Sequence, residues 1–272
     1  GEIAVRVVRA CHALGVKTVA VYSTADENAL HVQLADERVC IGPPAPQASY
    51  LNTDAIIEAA LSTGCEAVHP GYGFLSERSD FARECEENGL TFIGPSPSII
   101  DRMGNKSQAR STMMEAGVPV VPGTKQAVHS AEEALPLARE IGWPIMIKAS
   151  SGGGGKGMRV SASESDFADM FAIAQRESVN GFEDDTMYLE RAVMEPHHVE
   201  VQIIADSYGN VVSLGERDCS VQRNHQKMIE ESPCPALPES VRKEMGQAAV
   251  RAAQAVGYSS AGTIEFLVDQ EA

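Results

Sequence analysis

A glycine-rich segment with two lysines is the strongest candidate for chemistry in this sequence. An apolar run ends in Lys148, a loop with five glycines surrounds Lys156, and a second apolar run starts at Met158. Glycine lets a backbone approach a ligand closely, and consecutive amides in such a loop form a concavity that binds anions. The pattern therefore predicts a strand, a loop that covers phosphate groups, and a second strand.

Two common phosphate-binding motifs do not fit this segment. The Walker pattern places Ser or Thr after its lysine and opens a helix, but Gly157 and Met158 follow Lys156 here. The dinucleotide fingerprint also needs a helix start after its glycines, and the residues that follow have strand character. A nucleotide lid between two strands is the interpretation that remains, with a flexible linker or a bare hairpin turn as the alternative.

A polar segment from Glu216 to Glu231 carries Lys227, a point charge that can hold a small anion. Twelve of its sixteen residues are polar or charged, and Val221 and the pair Met228 and Ile229 are expected to anchor it. A solvated loop would have the same composition. The functional interpretation is favoured because the segment continues a predicted hairpin with a polar face.

That hairpin is predicted from the alternation of polar and apolar residues in the stretch from His198 to Ala205. His198, Glu200 and Gln202 share one face of the first strand, a turn follows at 207–210, and the chain returns from Val211. Taken one at a time, His198 and His225 are more typical of structural histidines than of catalytic ones.

Glu265 lies in a predicted strand, flanked by Ile264 and Phe266 and on the same face as Thr263 and Leu267. An unpaired carboxylate in an apolar strand is costly, so a cation partner is expected. Magnesium that bridges nucleotide phosphates takes one or two protein carboxylates, and a salt bridge to an arginine is the alternative.

The elements that position these residues alternate between helix and strand in the first part of the chain. This order predicts a parallel α/β sheet with helices on its faces. Such a sheet normally opens with a strand, so the helix at Glu2 indicates an N-terminal truncation. A glycine-rich turn at 69–76 follows a strand end, where open α/β sheets place ligands, although a plain connection is equally consistent.

Composition narrows the range of functions. The net charge is −16 and no run of Lys and Arg is present, which argues against a nucleic-acid partner. The six cysteines form no C-x-x-C pair, so free thiols and a cytoplasmic location are expected. No apolar run or leader predicts a membrane span or a signal peptide.

Three motifs together resemble the biotin carboxylase family of the ATP-grasp superfamily. They lie at 69–77, 148–158 and 216–227, and they match the family in order and spacing. The resemblance implies an α/β protein with two domains. Residues 1–95 would form a parallel-sheet, Rossmann-like pre-ATP-grasp domain without its first strand. Residues 96–272 would form a C-terminally incomplete ATP-grasp α+β domain, with a glycine-loop lid at about 120–192.

The resemblance implies ATP-dependent carboxylation of biotin by bicarbonate through carboxyphosphate. The implied cofactors are ATP and Mg²⁺, or Mn²⁺ in its place, and biotin is the carried substrate. The implied partners are a biotin carboxyl carrier protein and carboxyltransferase subunits, with a homodimer in the full-length family. Acetyl-CoA carboxylase in fatty acid synthesis is the system that the resemblance favours.

The resemblance also assigns residues. Lys227 would bind bicarbonate as the catalytic lysine, Glu265 would be one magnesium carboxylate, and residues 190–193 would form the adenine hinge through main-chain groups. The residues expected to bind nucleotide are Lys106, Lys148, Gly152, Gly153, Gly154, Gly155, Lys156, Gly157, Glu190, Arg191, Ala192, Val193, His198, Glu200, Gln222 and His225.

The chain departs from the family pattern after the Glu265 strand. The family's second magnesium carboxylate, the arginine and glutamate that act on bicarbonate, and an arginine at biotin have no counterpart in these 272 residues. We therefore expect a fragment that binds nucleotide at best and has no biotin-dependent turnover. The alternatives are part of a propionyl-CoA or pyruvate carboxylase, and a non-catalytic nucleotide-binding module.

Overall fold

The computed structural model describes residues 1–104, 106–150, 157–182, 184–223 and 226–269, without the side chains of 106, 107 and 182. These residues form two compact units. The first unit contains residues 1–105, 206–209 and 257–260, and the second contains 106–205, 210–256 and 261–272. The predicted domain boundary after residue 95 stays a prediction.

The first unit alternates helices and strands, as predicted. Its elements are α1 (Glu2–Ala13), β1 (Val19–Ser23), α2 (Leu30–Leu34), β2 (Glu37–Gly42), α3 (Thr53–Ser62), β3 (Ala67–Val68), α4 (Ser79–Glu87), β4 (Thr91–Phe92) and α5 (Pro97–Gly104). β1 pairs with β2 and β3 with β4, both in parallel. The predicted sheet thus takes the form of two parallel pairs, the second only two residues long on each strand. Phe81 and Phe92 meet edge to face in the core beside this second pair.

The second unit begins with a helix and a three-stranded antiparallel sheet. Its elements are α6 (Lys106–Glu115), α7 (Ala131–Ile141), β5 (Ile145–Ala149), β6 (Met158–Ser161), α8 (Glu164–Phe182) and β7 (Met187–Arg191). β5 lies in the centre of the sheet, between β6 and β7. Ile145, Ile147 and Phe167 are buried in its core, and Trp143 packs edge to face on Phe167 with ring centroids 5.5 Å apart. The predicted strands on both sides of the glycine loop are confirmed.

A four-stranded sheet completes the second unit. Its elements are β8 (His197–Ala205), β9 (Val211–Arg223), β10 (Gln226–Glu231), α9 (Glu239–Val256) and β11 (Ser260–Val268), with the strands in the order β10-β9-β8-β11. α9 packs against β8 and β9, while Ala248 and Ala252 of the helix contact Ile264 and Phe266 of β11. One face of the sheet is therefore covered by a helix.

The polar segment 216–231 is a hairpin of β9 and β10, and its expected apolar anchors are wrong. Val221, Met228 and Ile229 are 52%, 58% and 56% exposed. The physical reason is that β10 is the edge strand of the sheet and α9 packs on β8 and β9 rather than on β10, so this margin leaves the three side chains open to solvent. Charged contacts with the neighbouring strands hold the hairpin instead.

Two further observations bear on the composition. All six cysteines are free thiols, and Cys85, Cys219 and Cys234 are buried. Among the described helices, none combines the length and the apolar character needed to cross a lipid bilayer.

Candidate nucleotide and anion site

The described site residues fall into two groups, both in the second compact unit. The first lies on the three-stranded sheet and centres on Lys148 and Glu190. The second lies on the four-stranded sheet and centres on Glu200 and Lys227. Of the predicted residues, 152–156 and His225 lie outside the described residues, and so does the side chain of Lys106.

Lys148 pairs with a carboxylate on the neighbouring strand. In the register of β5 and β7, Lys148 lies opposite Tyr188 and Met146 lies opposite Glu190. Lys148 and Glu190 are thus diagonal neighbours on one face, within reach of long side chains. Lys148 Nζ donates a hydrogen bond to Glu190 Oε2. The two side chains are 35% and 27% exposed, so the pair is accessible from solvent.

Gly157, the last residue of the predicted lid loop, occupies a position that only glycine fits. Its φ is +69°, and a Cβ there would lie 2.8 Å from the Cβ of Ala149. Its N–H donates to Glu177 Oε2 at 3.3 Å, and the same carboxylate binds Arg159. The amide of Gly157 is therefore engaged by the protein rather than directed to an external anion.

The predicted adenine hinge at 190–193 has two of its amides already in use. Arg191 N–H donates to the carbonyl of Pro122 at 2.7 Å, and Ala192 N–H donates to the carbonyl of Pro144 at 2.9 Å. Main-chain recognition of a base at this hinge must use its other groups. The ion pair of the Glu190 side chain was not anticipated from the sequence.

Glu200 is a buried carboxylate held by two cations. It is 5% exposed on β8 and lies opposite Arg217 of β9 in the antiparallel register. Arg217 Nε is 2.7 Å from its Oε1, and Lys227 Nζ is 2.5 Å from its Oε2. Burial alone would raise the pKa of Glu200, but the hydrogen bonds from Lys227 and Arg217 hold that pKa below its ordinary value.

Lys227 joins Glu200 to the predicted metal ligand. Its Nζ also lies 2.5 Å from Glu265 Oε1. Burial would lower the pKa of Lys227, but the contacts with Glu200 and Glu265 raise it above its ordinary value. Lys227 is thus a permanent cation at neutral pH. The cation partner expected for Glu265 is present, and it is a lysine.

Two other predicted residues lie on the β9 side of this group. The main-chain N–H of His198 donates to Ser220 Oγ at 3.1 Å. The side-chain amide of Gln222 donates to the carbonyl of Cys219 at 2.9 Å, and Gln222 lies opposite Lys227 in the register of β9 and β10. The antiparallel register therefore brings the predicted polar residues of three strands to one part of the sheet.

Sequence reasoning missed several charged partners. Arg217 also contacts Gln202 Oε1 at 3.1 Å and Glu230 Oε2 at 3.7 Å. The hairpin register would have indicated the pairing of Glu200 with Arg217, since both strands were predicted. Arg110 of α6, whose Nη1 is 3.9 Å from Glu190 Oε1, had no signal in the sequence.

Glu265 suits a hard divalent cation in its chemistry and its access. Its side chain is 69% exposed, so its carboxylate is open to ions from solvent. Glu200, Glu230 and Glu265 carry three negative charges against the two positive charges of Arg217 and Lys227. A site with this excess of carboxylate charge fits a magnesium ion bound through oxygen.

A second set of potential ligands is less suitable. Glu200, Cys219 and Glu230 bring ligand atoms within 4.8 Å of one another. However, Glu200 is already held by Lys227 and Arg217, and burial raises the pKa of the Cys219 thiol. A metal ion at this set would have to displace the hydrogen bonds of Glu200 and remove the thiol proton, so the set is less suited to a metal than the exposed Glu265.

Comparison with known families covers nearly the whole chain. Residues 1–100 match the family "Biotin carboxylase, N-terminal domain". Residues 105–272 match the family "Carbamoyl-phosphate synthase L chain, ATP binding domain". Biotin carboxylase 1 of Bacillus subtilis is 55% identical over 269 residues, which is 99% of this chain and 60% of that relative. The chain thus spans about three fifths of the length of this relative.

Solved structures agree with the sequence matches. A complex of Campylobacter jejuni biotin carboxylase with a β,γ-ATP ligand is 48% identical and has a TM-score of 0.91, over 100% of this chain and 61% of that chain. The biotin carboxylase domain dimer of Hydrogenobacter thermophilus 2-oxoglutarate carboxylase, bound to MgADP, ADP and bicarbonate, is 46% identical with a TM-score of 0.88, over 100% of this chain and 60% of that chain. Together with the matches to both domain families, these likenesses place the chain in the biotin carboxylase family, within the ATP-grasp superfamily.

Proposed function

We propose that the chain supplies the nucleotide-binding part of a biotin carboxylase. This enzyme would use ATP to carboxylate biotin with bicarbonate through a carboxyphosphate intermediate. The observation that carries the proposal is the end-to-end likeness to a biotin carboxylase whose structure contains an ATP ligand. The accessible Lys148, set on the strand that leads into the glycine loop, is the feature of this chain that suits a phosphate group.

The roles of the first group follow from charge. Lys148 and Lys106 would neutralise nucleotide phosphates, and the loop at 152–157 would cover them. Residues 190–193 would hold the adenine, and four residues outside the first group would surround the nucleotide: His198, Glu200, Gln222 and His225. Phosphoryl transfer asks little covalent chemistry of a protein, so positioned cations account for most of the catalysis in such a site.

The second group would serve bicarbonate and metal. Lys227 would bind bicarbonate, because its pKa keeps it charged and its Nζ is held in place by two carboxylates. Glu265 would be a carboxylate ligand of Mg²⁺ or Mn²⁺. The metal, when bound, would supply positive charge to the transferred phosphoryl group.

The second part of the proposal names the carboxylase system to which the chain belongs. We favour acetyl-CoA carboxylase in cytoplasmic fatty acid synthesis, with a biotin carboxyl carrier protein, carboxyltransferase subunits and a homodimer. A propionyl-CoA or pyruvate carboxylase is the competing assignment. The similar biotin carboxylase domain of 2-oxoglutarate carboxylase is a dimer and belongs to a keto-acid enzyme, which supports the competing assignment.

Calorimetric titration with MgATP tests the nucleotide site. We expect saturable binding that is at least about tenfold weaker in Lys148→Met, because a charged contact to phosphate is worth about 1.4 kcal/mol or more. Lys243→Met, on the exposed side of α9, is the matched control and should bind like the wild type. Equal affinity in Lys148→Met and the wild type would contradict the assignment. Nucleotide binding without biotin-dependent ATP turnover, measured on the protein as it is naturally produced, would favour the non-catalytic module.

A further inference from the structure

Arg110 of α6 connects three parts of the candidate nucleotide site. Its Nη2 donates a hydrogen bond to the carbonyl of Val121, in the connector that leads to Gly123. Gly123 forms an antiparallel bridge with Glu190, so this connector borders the hinge strand β7. The Arg110 Nη1 lies 3.9 Å from Glu190 Oε1. The guanidinium is therefore fixed beside the carboxylate that binds Lys148.

The guanidinium of Arg110 has an N–H donor that makes no hydrogen bond with the described residues. Its side chain is 19% exposed, and its buried Nε has no hydrogen-bond partner among the described residues. A guanidinium carries five N–H donors in a fixed fork, and its geometry suits a carboxylate. Arg110 can thus bind Glu190 more closely than it does here without leaving Val121.

Glu190 is shared between two cations in this structure. Lys148 binds one carboxylate oxygen directly, and Arg110 stands near the other. The ammonium group of Lys148 has three N–H donors, so a bound phosphate would share it with Glu190 and weaken their contact. Nucleotide binding would then leave a carboxylate that is 27% exposed with a smaller share of its closest partner's charge.

We infer that Arg110 is a positioning residue that becomes the partner of Glu190 when Lys148 turns to the nucleotide phosphates. This inference rests on the proposed function of Lys148. Arg110 stabilises the nucleotide-bound state more than the free state, because only in the bound state is it the main cation on Glu190. It touches neither the nucleotide nor the reacting atoms, and it acts through Glu190 and Lys148.

A double-mutant cycle on nucleotide affinity tests the inference. Arg110→Met should weaken MgATP binding about fivefold, the size expected when one state alone loses a charged partner. Arg110→Lys, which keeps the charge and loses the fork, should weaken it about twofold. In a Glu190→Gln background, Arg110→Met should have no further effect, since the neutral amide does not need a counter-charge. A purely structural role of Arg110 would weaken binding equally in both backgrounds.

Controls separate this result from loss of folding and from failure of the wider proposal. Arg139→Met breaks an exposed pair with Glu164 in the same unit and should leave the affinity unchanged. Fluorescence of Trp143 reports whether each variant keeps the sheet packed. If Arg110→Met unfolds, the cycle is measured with Arg110→Lys, and a twofold loss that persists in Glu190→Gln overturns the inference.

Unchanged affinity in Arg110→Met also overturns the inference. If Lys148→Met then still loses binding, the proposed nucleotide site stands and only the role of Arg110 is refuted. If Lys148→Met binds MgATP as the wild type does, the nucleotide assignment itself has failed, and the role of Arg110 fails with it.

Discussion

The buried Glu200 carboxylate should make Lys227 important for stability as well as for anion binding. The Glu200 side chain is 7% exposed and that of Lys227 is 29% exposed. Removing one partner of a fully buried ion pair costs about 3–5 kcal/mol. Because Lys227 is partly exposed and Glu200 keeps Arg217, we expect Lys227→Met to lower the free energy of unfolding by about 2 kcal/mol. The pair with the exposed Glu265 adds little, about 0.5 kcal/mol or less.

Urea unfolding followed by circular dichroism, at pH 7 with a chelator present, measures this loss. In a Glu200→Gln background, the same Lys227→Met change should cost less than about half as much, since no buried charge is left behind. Lys243→Met is the matched surface control. The reasoning is refuted if Lys227→Met stays within about 0.5 kcal/mol of the wild type, or if its cost is the same in both backgrounds.

The pH dependence of this effect has a definite sign. The folded-state pKa of Glu200 is below its ordinary value of 4.5, so its stabilising contribution is complete above that pH. The contribution is lost as pH falls through the depressed folded pKa, because both states then bind the proton. The difference between wild type and Lys227→Met should therefore be largest near neutral pH and shrink below about pH 4.5.

Two further predictions concern other parts of the chain. Gly123→Ala would place a Cβ 2.5 Å from the carbonyl oxygen of Leu189, so we expect it to lower the free energy of unfolding by about 1–3 kcal/mol. Unfolding followed by Trp143 fluorescence measures this loss. Gly181→Ala, with open space around it, is the control and should be neutral or stabilising. Tyr50→Phe removes the 2.5 Å hydrogen bond that Tyr50 donates to Asp26 and the 2.9 Å one that it accepts from the Ser23 N–H, and should cost about 1–2 kcal/mol at neutral pH, by urea unfolding; a cost that does not fall in an Asp26→Asn background would contradict this reasoning.

Periodicity explains why most elements could be predicted. The apolar residues Met245, Ala249, Ala252 and Val256 recur at helical spacing, and all four are buried on one face of α9. Alternation with polar residues likewise puts Val199, Val201 and Ile203 on one face of β8, and all three are buried. Burial of one face against a neighbouring element requires apolar residues at regular spacing, and this spacing is visible in the sequence.

Ion pairs were harder to predict because they depend on register and on side-chain reach. Glu190 was assigned only a main-chain role, and its contact with Lys148 requires the diagonal register of β5 and β7. Arg110 is 80 positions away from Glu190 in a different type of element, and nothing in its local pattern distinguishes it from a surface arginine. Single-residue propensities do not contain this kind of information.

Glu265 has the cation partner that was expected for it, although its surroundings differ from the expected ones. Its neighbours Ile264 and Phe266 predicted an apolar environment for the carboxylate, whereas the Glu265 side chain is 69% exposed. β11 lies at the edge of the four-stranded sheet, and Ile264 and Phe266 pack toward α9 while Glu265 points away from them. Its partner Lys227 is needed by Glu200 as well, so the five charged side chains retain one uncompensated negative charge. That excess favours a cation at Glu265 and opposes a free anion at Lys227, so we expect bicarbonate to bind more tightly when MgATP is present than when it is absent.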